Sequence, residues 1–75
     1  GDVIIVKPQL KAESGQIVVA TINGEATVKK LDLHAAGVTL RPCNRSGQYK
    51  PIHVQEDDEF ALKGVVVGLL RQYQA

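Results

Sequence analysis

Seventy-five residues, 44% hydrophobic and 23% charged, suffice for one small domain or part of one and are too few for a multi-domain enzyme. Nine Lys and Arg against eight Asp and Glu leave a formal net charge of +1, which gives no lead toward nucleic acid, a membrane surface or a charged partner. No uncharged apolar run approaches the ~20 residues of a membrane span, and the first residues lack the basic-then-apolar order of a signal peptide, so a soluble, cytoplasmic protein is expected. The single cysteine, Cys43, cannot form an internal disulfide, which is ordinary where thiols stay reduced. The absence of methionine and the opening Gly1-Asp2 read as the interior of a longer sequence. Ordering each residue costs roughly 1.5 kcal/mol, which so short a chain barely recovers by burial, so support from further sequence or a partner is expected.

Asp2 to Lys7 is a β-branched run ended by Pro8, the length and composition of a buried strand. A polar connection with Ser14-Gly15 leads to a second strand, Gln16 to Ile22. Asn23-Gly24 follows at once and predicts a tight hairpin, because both central residues of a type I′ turn need positive φ. The third strand then runs from Glu25 to about Asp32, Ala35-Ala36-Gly37 turns the chain, and Val38 to Arg41 is a fourth strand stopped by Pro42. After the turn-rich 43–48, Tyr49 to Val54 reads as a short strand and Gln55 to Glu59 as an acidic connection. Phe60 to Gln72 is a long last strand in which Gly64 and Gly68 each mark a bulge or a close backbone approach. No stretch has a helical period, so the domain is mostly β, a rolled sheet or partial barrel. An apolar last strand needs covering within the fold or pairing with a second copy, which predicts a homodimer through Val65, Val66, Val67, Leu69, Leu70 and Arg71. Arg71 and Tyr73 are placed either against the second subunit or on a frayed terminus.

Few residues invite chemistry. His34, Cys43 and His53 match none of the zinc spacings, and Glu56-Asp57-Asp58-Glu59 lacks the alternation and central glycine of a calcium loop, so no metal is expected and the acidic run reads as a solvated turn. Ser14 and Ser46 both sit in turns, where a hydroxyl serves the local backbone. Lys29-Lys30 is more informative, because alternation along a strand sends the two ammonium groups to opposite faces. If one face is buried, one of the two lysines is aimed at an apolar environment, although periodicity does not say which. A lysine desolvated in this way can act as a general base; the ordinary alternative is that both heads reach solvent from a strand edge.

Five segments in order, Gly1-Asp2 leading into Val3-Ile4-Ile5-Val6, Gly15-Gln16-Ile17-Val18-Val19-Ala20, Thr27-Val28-Lys29-Lys30-Leu31, Tyr49-Lys50-Pro51-Ile52 and Gly64-Val65-Val66-Val67-Gly68, resemble the C-terminal domain of the LexA family. That family also takes in the UmuD-type proteins and the self-cleaving phage repressors. The resemblance covers nearly all of residues 1–75, as one partial self-cleavage and dimerisation domain. It implies a serine-lysine self-cleaving peptidase of the LexA/signal-peptidase fold type and needs no cofactor. It places the base on Lys29, with Lys30 in the flanking basic position; Thr27, two residues back on the same strand face, is a candidate supporting hydroxyl.

The family's nucleophile belongs to a Ser-Met element just before Gly-Asp, and this sequence has neither that serine nor any methionine. The fragment by itself is therefore expected to be inactive. By resemblance the parent is a repressor of DNA-damage genes that self-cleaves when stimulated by RecA filaments and binds operator DNA through an N-terminal domain. The alternatives are a UmuD-like accessory subunit of a translesion polymerase and a dimerising β module without chemistry.

Overall fold

Short β-branched runs punctuated by Asn-Gly, Ser-Gly and proline fold into a single open antiparallel sheet. The computed structural model describes residues 2–43 and 50–71. Its strands are β1 (Asp2–Pro8), β2 (Ile17–Ile22), β3 (Glu25–His34), β4 (Gly37–Arg41), β5 (Ile52–His53) and β6 (Phe60–Arg71), in the spatial order β1-β6-β2-β3-β4-β5. The mostly β, rolled-sheet expectation holds; the sheet is not closed, and β1 and β5 form its edges. Among the described residues no helix is long and apolar enough to cross a membrane.

Asn23 and Gly24 have φ of 50° and 85°, so the expected two-residue turn joins β2 to β3 with Ile22 opposite Glu25. Pro8 ends β1 as expected, opposite Gly64, but β1 is an exposed edge strand and not a buried one, which is why it tolerates a proline whose missing N–H costs nothing on the open side. The fifth strand is shorter than its composition suggests, since Pro51 cannot donate to a ladder; Tyr49 and Ser46 lie outside the described residues.

β6 crosses between two partners. Phe60 to Val65 pairs with β2, and Gly64 to Arg71 pairs with β1. The register shifts opposite Val19/Ala20 and opposite Ile5/Val6, so both expected irregularities are bulges. Gly64 is also a close approach: a Cβ there would stand 2.6 Å from Val6 Cγ1 and 2.8 Å from the Lys7 carbonyl oxygen.

Alternation puts one apolar row on the inner face. Val18, Ala20, Leu31, Leu40 and Val65 are buried, with Ala12, Val38, Ile52, Val54, Phe60 and Leu62 packed around them. Among the described residues, five buried hydrophobic side chains make a small core. Val3, Ile4, Ile5 and Val6 of β1 and Val67, Leu69 and Leu70 of β6 all remain exposed.

Candidate functional site

The β2–β3 ladder decides between the two lysines. Val18 lies opposite Lys29 and Ala20 opposite Thr27, and both of these β2 side chains are 0% exposed. Directly paired residues share a face, so Thr27, Lys29 and the buried Leu31 point to the core side. Lys30 faces the other way, opposite Ile17 and Arg41, and is exposed. Lys29 and Thr27 are half-buried and line a cleft of about 370 Å³ with Ile22, Glu25, Lys50 and Ile52. The cleft is thus lined by the apolar Ile22 and Ile52, by two lysines, Lys29 and Lys50, and by the carboxylate of Glu25.

Ser14 is not in this cleft. Its Oγ accepts a hydrogen bond from the Leu33 backbone N–H at 2.9 Å, so it serves the backbone of a neighbouring strand rather than its own turn. The segment assigned to dimerisation divides. Val65 is a core residue at 4% exposure and Val66 is half-buried, whereas Val67, Leu69 and Leu70 are exposed. Arg71 lies opposite Asp2 at the end of the ladder, and Tyr73 lies outside the described residues.

Two polar clusters were not foreseen. On the outer face Thr39, only 1% exposed, has its Oγ1 2.7 Å from His34 Nε2 and 3.1 Å from His53 Nδ1. One hydroxyl can donate to one ring and accept from the other, so a buried polar atom is satisfied twice. Nearby, Arg41 Nε donates to Asp32 Oδ2 at 2.8 Å, an ion pair open enough to solvent to contribute little. Cys43, the third soft ligand of the sequence, is exposed, and among the described residues no group of three or more metal-binding side chains is assembled.

The second cluster lies in the acidic run, which is an exposed turn as expected, and gives Asp58 partners there. Asn23 Nδ2 donates to Asp58 Oδ1 at 2.9 Å, and Asn23 Oδ1 accepts from the Glu59 backbone N–H at 2.9 Å. The Asn23 backbone N–H donates to the Glu59 carbonyl at 2.8 Å, and Gln55 N–H donates to Asp58 Oδ2 at 2.8 Å. The Gln55 N–H, and after it the Asn23 carboxamide, hold the Asp58 carboxyl below its usual value of 3.8. Asp58 is thus a structural acceptor. Asn23-Gly24 was visible as a turn, but no spacing links it to a carboxylate thirty-five residues away.

The peptidase S24-like family matches residues 1–67. The LexA repressor of Bordetella avium (strain 197N) is 45% identical over 73 residues, which are 97% of this chain and 33% of that protein. The LexA repressor of Syntrophotalea carbinolica is 45% identical over 75 residues (100% and 36%), and that of Syntrophobacter fumaroxidans 47% over 74 (99% and 34%). The chain spans about a third of the length of these relatives. The strand carrying Lys29 and the Gly64 bulge of β6 fall inside the matched segment, and the chain belongs to the peptidase S24-like family.

Proposed function

We propose that these residues are the C-terminal, base-bearing segment of a LexA-type SOS repressor that inactivates itself by cutting its own chain. The observation that carries the reading is the position of Lys29 on the core face, opposite fully buried Val18 and beside Thr27 in an open cleft. In this reading the unprotonated Lys29 amine takes the proton of a serine hydroxyl contributed from outside these residues. The serine oxygen attacks the scissile carbonyl, the peptide C–N bond breaks, and the ammonium returns its proton to the leaving amine. Thr27 helps to hold the amine. Operator DNA is read by a separate N-terminal domain, and RecA filaments stimulate the cut. The names of the three relatives, all LexA repressors, favour this reading over a polymerase accessory subunit.

Dimerisation belongs to the same proposal. Beyond Val65 the β2 side of β6 has no strand partner among the described residues, while Val67, Leu69 and Leu70 are exposed. An antiparallel pairing of two such segments is two-fold symmetric and shields them.

The test is self-cleavage of the full-length parent at alkaline pH. Lys29→Ala is expected to abolish it and Lys30→Ala to leave it. Cleavage of Lys29→Ala at the parental rate would overturn the assignment.

A further inference from the structure

The tip of the β2–β3 hairpin is one wall of the Lys29 cleft: Ile22 and Glu25, which line it, flank the Asn23-Gly24 turn. A two-residue turn at the end of a hairpin is free to fray unless something holds it. Here three hydrogen bonds tie Asn23 to the loop that leads into β6, through Asp58 Oδ1, the Glu59 N–H and the Glu59 carbonyl. The other Asp58 oxygen is held by Gln55 N–H, so the loop end of the contact is itself fixed.

We propose that Asn23 and Asp58 form a positioning latch that holds this wall of the cleft in place, and that deamidation of Asn23 releases it. The catalytic part of the proposal rests on the self-cleavage reading above. The latch has a strict donor and acceptor order. Asn23 presents its Nδ2 to Asp58 and its Oδ1 to the Glu59 N–H, and Asp58 presents one oxygen to each of two donors. Asn23→Asp sets two carboxylates face to face with no proton donor between them. Asp58→Asn sets its new N–H group against the Gln55 N–H or against the Asn23 N–H group or, if Asn23 turns over, forces the Asn23 N–H group onto the Glu59 N–H. The exchange of both residues restores the set: Asp at position 23 accepts from Glu59 N–H and from Asn at position 58, whose oxygen accepts from Gln55 N–H.

Asn-Gly also supplies its own route to the broken state. The Gly24 amide nitrogen attacks Asn23 Cγ, ammonia leaves, and water opens the succinimide to aspartate or isoaspartate. Glycine offers no side chain to hinder the attack, whereas the latch holds the carboxamide against Asp58 and Glu59. Once formed, the carboxylate repels Asp58 and the wall is released.

The experiment compares the full-length parent with Asn23→Asp, Asp58→Asn and the double exchange, by self-cleavage rate at one alkaline pH and by hydrogen exchange of the Glu59 amide. Each single variant is expected to slow cleavage about tenfold, as a displaced cleft wall does, and the double exchange to return it to within about twofold. The Glu59 amide should exchange faster in both single variants and recover in the double. Equal Glu59 exchange in all four proteins overturns the latch. Restored exchange with cleavage equally slow in all three variants overturns its positioning role. If Lys29→Ala cleaves normally, the peptidase reading fails, and the exchange data still decide the latch.

Discussion

Lys29 on β3 and Val18 on β2 stand directly opposite each other, and Val18 has no exposed surface. A long cationic side chain is thereby rooted in the apolar face of the sheet, while the adjacent Lys30 is turned toward water. That contrast separates two residues that composition treats as equivalent.

Because the proposed role needs an amine that can lose its proton, Lys29→Arg should fail as completely as Lys29→Ala, although it keeps charge and bulk. The loss should reach about 10²–10⁴-fold, the usual contribution of a positioned base, read as the rate of parent self-cleavage.

Leu69, exposed beyond the last β2 pair, should matter for assembly and not for folding. Leu69→Lys puts a charge where two apolar strands are proposed to meet. Sedimentation equilibrium at micromolar concentration should show the parent as a dimer and the variant as a monomer with an unchanged far-ultraviolet spectrum. Two dimers of equal strength would refute the proposed contact.

Gly64→Ala should destabilise the parent by about 1–3 kcal/mol in urea unfolding, since the new methyl meets Val6 Cγ1 and the immovable Lys7 carbonyl. Gly68→Ala, whose nearest neighbour is the rotatable end of Ile5 at 3.2 Å, should cost less. An equal cost at both sites would mean that β1 shifts freely against β6.

Asp58 should shape the acid limb of stability. Its carboxyl is held below 3.8 in the fold, chiefly by the Gln55 N–H, so its stabilising effect is complete above that value and is lost as pH falls through the lower folded value. Urea midpoints followed from about pH 6 to about pH 2 should fall less steeply for Asp58→Asn than for the parental protein.

Leu40→Ala should cost about 2–5 kcal/mol, because Leu40 is fully buried at the centre of the core beside Leu31. Differential scanning calorimetry of the parent would register it as a lower melting temperature. A shift no larger than that of an exposed-site control such as Leu10→Ala would show that the core is covered differently in the parent.

Local chemistry made much of this protein legible from its sequence. β-Branched runs and prolines marked the strands, Asn23-Gly24 dictated its own turn because those two residues accept positive φ, and Gly64 and Gly68 announced the two irregularities of β6. Alternation also established that Lys29 and Lys30 must diverge. Only the tertiary structure decided which of them faces the core, because a period of two carries no sign until a neighbouring strand such as β2 supplies the buried side. The same holds for the meeting of His34 and His53 on Thr39 and for the latch between Asn23 and Asp58. Hydrogen bonds between residues far apart in the chain depend on sheet order and loop path, and these arise from collective burial rather than from any local preference.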